Sequence, residues 1–292
     1  MKAKLFSVNF LIALFLVIGC NPPEPPIPEE EFPQKISFTE FSLIGDACQW
    51  ENFESGKVIV INSTDELRNF ILCRDDGRFY HIDFSKYSFL LLKGSAESAV
   101  FFIETDFSKQ ATKEYTLNLK IHTDVSDVVQ VWILAGIVPK ITSGASIVLN
   151  TQELQDNSCT EVDLMGTRWI MMDGIIDTQT GLIIRNIAGA ASFTIRFDTI
   201  IVGEPNPSFP HVYRFNASGT RGNFEFDSNT CTYLFIRPFW SSAVGDTGFS
   251  RLMTDAFRRV QFFTLRNTEP RIILLHDNDG RNILRYKEIE NE

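Results

Sequence analysis

The 292-residue sequence predicts a mainly β protein with one short helix in each of two folded regions. Three observations point there. Phenylalanine is abundant, at 26 copies, and aromatic and β-branched side chains fit half-buried strands. Short apolar or alternating runs recur along the chain with turn residues between them. Helical spacing of apolar residues occurs in only two places.

The balance of residue types is that of a folded protein, with 44% hydrophobic and 22% charged residues. The net charge of −10 and the lack of a Lys/Arg cluster exclude a phosphate-neutralising face, so no nucleic-acid partner is expected. Charge also changes along the chain. Residues 36–158 hold 10 basic and 17 acidic side chains, and residues 159–292 hold 14 and 16. Seven lysines lie in the first stretch and Lys287 alone in the second, where the other cations are arginines. This shift predicts two domains, 36–155 and 156–292.

The N-terminus carries the strongest signal. Lys2 and Lys4 precede an apolar run from Leu5 to Ile18. At about 14 residues it is short of the roughly 20 that a helix needs to cross a bilayer, and fits a signal-peptide core. The run ends Val17-Ile18-Gly19-Cys20, which resembles the lipobox of bacterial lipoproteins. The resemblance implies a signal peptide over 1–19, cleavage before Cys20, a diacylglycerol on its thiol and a further acyl chain on the new amino group. Two or more chains give stable anchoring, each buried CH₂ contributing about 0.8 kcal/mol. Asn21 is not the Asp associated with inner-membrane retention, so the expected address is the outer membrane. Residues 20–35 then form a tether. Its six prolines favour extended polyproline II and a reach of about 40 Å.

In the first folded region "KVIVIN" reads as a buried strand. Ser63 with Glu66 makes a capping box for a short helix, with Leu67, Phe70 and Ile71 on one face. "YSFLLLKG", "SAVFFIETDF", "KEYTLNLKIHTD", "VVQVWILAGIVPKI" and "SIVLN" read as successive strands, Pro139 sitting at an edge or bend. The region is predicted as a small α+β or β-sandwich-like fold. Cys48 and Cys73 are expected to pair outside the cytoplasm. A zinc site using both with His81 and His122 is the alternative, but it lacks ligand spacing. "IDFSKYSFLLLKG", "YTLNLKI" and "VPKI" are similar to a small β domain of bacterial lipoproteins and of a protease-complex subunit family.

In the second region "LMGTRWIMMDGIIDTQTG" leads into "SFTIRFD", "HVYRFNASGTRGNFEFDSNTCTYLFI", "RIILLHDNDG" and "NILRYKEI". Turns are predicted at Asp227-Ser228-Asn229 and Asp277–Gly280. Phe249, Leu252, Met253, Ala256, Phe257 and Val260 recur at helical spacing and predict one amphipathic helix. Leu164, Gly166, Thr167 and Trp169, then Gly222-Asn223-Phe224, then "FSRLMTDAFRRVQFFTL" and a last hairpin resemble the META domain and lipocalin-like domains of Bacteroidetes lipoproteins. The resemblance implies an antiparallel sheet curled around a helix, no enzyme activity, and a binding or structural role. Cys159 and Cys231 are candidates for a second disulfide.

The chain lacks G-x-S-x-G, H-E-x-x-H, Walker and G-x-G-x-x-G motifs. The four histidines, His81, His122, His211 and His276, are widely spaced. Asp277 and Asp279 mimic the start of a calcium loop, but Arg281 and Asn282 fall where a ligand and Gly are needed. No cofactor, metal or catalytic residue is expected. Trp132, Phe239 and Trp240 are candidates to line a cleft. The expected binding surface includes Phe209, His211, Arg237, Phe239 and Trp240. The sequence thus predicts a non-enzymatic, lipid-anchored envelope protein of binding or maintenance role. Its partner would be another envelope protein or a small apolar or glycan ligand. The alternatives are a regulator or inhibitor of an envelope protease, and a hydrolase whose site assembles only in three dimensions.

Overall fold

Two four-stranded sheets and one nine-stranded sheet carry most of the described residues. The computed structural model describes residues 31–41, 43, 48–73, 82–156, 162, 164–185, 194–198, 213–217, 220–239 and 255–290. Pro33–Glu292 forms one compact unit. The predicted signal, Cys20 and most of the tether lie outside the described residues.

The first sheet runs β1-β7-β8-β10, from strands β1 (Gln34–Ile36), β7 (Val100–Ala111), β8 (Glu114–Thr123) and β10 (Ser146–Gln155). The second runs β2-β9-β6-β4, from β2 (Thr39–Glu40), β4 (Ile59–Ile61), β6 (Tyr87–Ala96) and β9 (Gln130–Pro139). A shared apolar cluster joins them, with Leu90, Leu92, Trp132 and Leu134 from the second sheet and Phe107, Leu117, Leu119 and Ile121 from the first. Strand β6 is buried on both faces. Phe89 and Leu91 point the other way, into a cluster with Trp50, Leu67 and Ile71. That double burial is why its sequence is a continuous apolar run rather than an alternating one. Pro139 closes β9 as its last residue. Strand β10 pairs with β8 in parallel, because β9 between them crosses to the other sheet.

Helix α1 (Thr64–Arg68) begins at Ser63, whose Oγ accepts from the Glu66 N–H at 3.2 Å, while Glu66 Oε2 accepts from the Asn62 N–H at 2.7 Å. The helix is shorter than its apolar spacing predicts, and Ile71 already belongs to β5 (Ile71–Cys73). Strand β5 pairs with β3 (Cys48–Trp50), with Cys48 directly opposite Cys73. The two are disulfide-bonded. Closing this loop contributes about 3 kcal/mol in the chain-entropy picture, and the bonded sulfurs are not free to ligate zinc. Cys231 is disulfide-bonded too, while its expected partner Cys159 lies outside the described residues.

The remaining strands are β11 (Arg168–Asp177), β12 (Ile183–Arg185), β13 (Thr194–Asp198), β14 (Tyr213–Ala217), β15 (Thr220–Asp227), β16 (Thr232–Phe239), β17 (Val260–Arg266), β18 (Ile272–Asp277) and β19 (Asn282–Ile289). The antiparallel order β11-β13-β14-β15-β16-β17-β18-β19 curls round, and β19 pairs with β11 along Arg168–Asp177. Trp169, Phe197, Phe224, Tyr233, Phe263 and Tyr286 fill the inside. Residues 255–259 are helical, and Ala256 and Phe257 sit in this aromatic core. Val260, expected at the helix end, instead begins β17. The predicted turns join β15 to β16 and β18 to β19. At the second, Asn282 Nδ2 donates to Asp277 Oδ2 at 2.5 Å, so Asp277 serves the hairpin.

Strand β18 is buried at every residue. Ile273 and Leu275 face the ring interior. Ile272 and Leu274 face outward and, with Ile283, meet Ala99 and Phe101 from the first assembly. This second buried layer brings the two β assemblies together.

Candidate functional site

Beside that junction lies a cleft of about 300 Å³, at the lower end of the range for small-ligand sites. Its apolar walls include Phe41, Leu43, Trp50, Trp132 and Leu182, and its charged groups are Glu40, Asp173, Arg285 and Lys287. A second hollow, of about 210 Å³, shares Gln49, Trp50, Ile133 and Leu182 with it.

The local sequence explains each position. Glu40 ends β2, a two-residue strand paired with Ile137 and Gly136 of β9. Trp132 lies across Gly94 on the neighbouring β6, where an added Cβ would come within 2.2 Å of the indole. The glycine therefore makes room for the ring. Trp132 is 6% exposed, and its Nε1–H finds no partner among the described residues. Gly181 has φ +70 and abuts the Val131 carbonyl, which a Cβ there would approach to 2.8 Å. Both backbone angle and contact call for glycine. Asp173 interrupts the apolar run of β11 and is answered by Arg285 of β19, with Nε to Oδ2 at 2.6 Å. Arg285 also donates to the Phe101 carbonyl at 3.0 Å.

Glu40 keeps much of its surface open to water, yet its surroundings raise its pKa above the ordinary carboxylate value. Desolvation is the main cause. The Arg285 guanidinium pulls it back and the Asp173 carboxylate pushes it further up. Two carboxylates thus meet one guanidinium here, with Asp173 ion-paired and Glu40 left without an ion pair among the described residues.

A second polar cluster is sealed inside the junction. Asp124 follows β8 and accepts from the Ala99 N–H at 3.1 Å, the Ser126 N–H at 3.0 Å and Ser126 Oγ at 2.6 Å. Across the junction Thr264 Oγ1 donates to it at 2.7 Å, and His276 Nε2 lies at 3.1 Å. His276 is fully buried and stacked on Phe262. The set contains Ser, His and Asp, but the serine hydroxyl is spent on the carboxylate rather than poised on the imidazole. Near it, Arg266 of β17 bonds Asp156 at 2.6 Å and lies over the Phe102 ring, on which His122 stacks. These groups join the assemblies; none but Phe102 reaches the cleft.

Of the residues expected at a binding surface, Phe209, His211 and Trp240 lie outside the described residues, and the side chains of Arg237 and Phe239 in β16 are likewise not described. Trp132 alone, among the candidates for a cleft, is seen at one. Glu40, Asp173 and Arg285 were missed because they come from distant segments. Their sequence signal is a charge inside an otherwise apolar strand, as in "WIMMDGII".

Among the described residues no helix is long and apolar enough to cross a membrane, and no group of three or more His, Cys, Asp or Glu could hold a metal ion. No family model matches the chain, and no curated protein does. Among solved structures, a Burkholderia xenovorans protein determined by NMR is similar at 12% identity and a TM-score of 0.32, covering 44% of this chain and 85% of its own. A DUF4847 family protein from Bacteroides vulgatus is similar at 10% identity and a TM-score of 0.29, covering 44% of this chain and 97% of its own.

Proposed function

We propose that the protein is a lipid-anchored lipoprotein of the bacterial cell envelope, held at the outer membrane through Cys20, and that it acts by binding rather than by catalysis. The observation that carries the binding role is the cleft of about 300 Å³ at the junction, with aromatic walls and a few convergent charges. The address rests on the lysine-flanked apolar run and the Val17–Cys20 box. A sheet closing on itself around Ala256 and Phe257 supports a META- or lipocalin-like second region. Its aromatic filling argues for a ligand held at the junction and not inside the ring.

Two measurements test this reading. A thermal-shift screen of the full-length protein against short peptides and oligosaccharides should find ligands that raise the Tm, since a ligand of the native state alone stabilises it by mass action. Leu182→Trp, which fills the cleft, should abolish that rise. A rise that persists in Leu182→Trp, or none in either protein, overturns the cleft as the site. Labelling with a fatty-acid analogue should mark the wild type and not Cys20→Ala; equal labelling overturns the anchor.

A further inference from the structure

The floor of the cleft is the edge of a strand. Residues 131–135 of β9 all line it. In an antiparallel pair, backbone groups point alternately to one neighbour and the other. The β6 side is fixed by the pairing of Tyr87–Ala96 with Gln130–Pro139, continued by the Lys140 N–H donating to the Lys86 carbonyl at 2.8 Å. Val138, Gly136, Leu134 and Trp132 share that side with Lys140. The odd-numbered residues face the other way. There Ile137 pairs with Thr39, the Ala135 carbonyl accepts from the Phe41 N–H at 2.8 Å, and the Val131 N–H donates to the Thr178 carbonyl at 2.7 Å. Between these two closures stands Ile133. Its N–H and C=O point along the same edge, and no backbone partner meets them there among the described residues.

The gap spans four residues of strand, about 13 Å. It opens towards both hollows, since Ile133 lines each of them. An unpaired stretch of strand edge inside a walled cleft is a template for another strand. Side chains of such a strand point alternately to its two faces. Trp50 and Leu182 offer apolar surface beside both hollows. Glu40, one residue before Phe41, supplies an anionic group that has no ion pair among the described residues.

We propose that the cleft takes a short extended peptide segment of another polypeptide, hydrogen-bonded as an added strand to the free edge of β9 at Ile133, with a basic side chain beside Glu40. This rests on the reading of the cleft as a ligand site and names its ligand class. A sugar would use the aromatic walls and the Trp132 N–H but has no need of a strand edge.

The test uses the full-length protein and calorimetric titration with acetyl-Val-Lys-Val-amide and acetyl-Leu-Lys-Leu-amide, their analogues N-methylated at the lysine amide, and chitotriose. At least one unmodified tripeptide should bind, N-methylation should weaken it about tenfold, the scale of one lost hydrogen bond with its steric cost, and Glu40→Gln should weaken it as well. Ile133→Pro removes the free N–H without touching a β6 bond, and edge positions accept proline; it should weaken binding similarly while the Tm shows that it folds. The N-methyl comparison on the wild type needs no variant to fold. Equal affinity for methylated and unmethylated peptides overturns the added strand. Binding of chitotriose alone overturns the peptide and leaves the cleft as a ligand site. Binding of neither overturns the inference, and the cleft reading then stands or falls on the wider screen.

Discussion

Asp124 shows what one buried side chain does at the junction. Burial alone would push its pKa up, but the interactions with His276, Ser126 and Thr264 outweigh that and leave it below the ordinary value. A carboxyl whose folded pKa is depressed contributes stability that is present above its unfolded pKa, about 3.9, and lost as pH falls through the folded value. Urea unfolding of the wild type should therefore show a loss of stability below about pH 4, and Asp124→Ala should show a shallower acid limb. At neutral pH that variant strands Thr264 Oγ1, Ser126 and His276 without their acceptor and should cost about 3–5 kcal/mol. A loss under about 1 kcal/mol, the range of an exposed pair, would show that the network does not hold the junction. Residue-scale features differ in how legible they are. The Ser63–Glu66 cap is local and was readable from four adjacent letters. Asp124 with His276, or Glu40 with Asp173, are pairs more than a hundred residues apart in the chain, and no local pattern joins them.

At the scale of elements, hydrophobic pattern specified most strands and said little about their partners. The runs "SFLLL" and "IILL" are apolar because β6 and β18 are each buried on both faces. The sequence shows that burial directly but not what lies on the second face. The parallel β8–β10 pairing has no signature either, since exposed and half-buried residues alternate along the first half of β10 as they would beside an antiparallel neighbour. Helix ends were misplaced where strand pairing overrode helical spacing, at Ile71 and Val260. Strand β6 supplies the sharpest element-level expectation. Gly94→Ala puts a Cβ within 2.2 Å of the Trp132 ring, so the ring or the two strands must shift. Overpacking of this kind costs about 1–3 kcal/mol. Because Trp132 lines the cleft, its fluorescence and any ligand affinity should change along with the urea midpoint. An unchanged midpoint would mean that the strands separate freely and that the glycine is not required there.

For the whole molecule, the two β assemblies are joined by more than a chain crossing. Ala99 and Phe101 pack against Ile272, Leu274 and Ile283. Polar bridges flank them: Asp124 to Thr264, Asp156 to Arg266, and Arg285, itself held by Asp173, to the Phe101 carbonyl. The Val131–Thr178 hydrogen bond adds a backbone link. Composition indicated two regions through the change from lysine to arginine. The junction itself was not legible, because its members read as ordinary strand residues until both assemblies are folded. A lining drawn from both sides means that the cleft exists only while they stay together. The full-length protein should therefore unfold in one transition, with calorimetric and van't Hoff enthalpies equal. Phe101 is 1% exposed and lies in the shared layer, so Phe101→Ala removes apolar contact from both assemblies at once. It should cost about 3–5 kcal/mol and split the single transition into two, as each assembly then unfolds on its own. Ligand binding in the cleft should be lost at the lower of the two, before the second assembly melts. Two transitions already present in the wild type, or a variant that still unfolds in one, would show that the shared layer does not couple them.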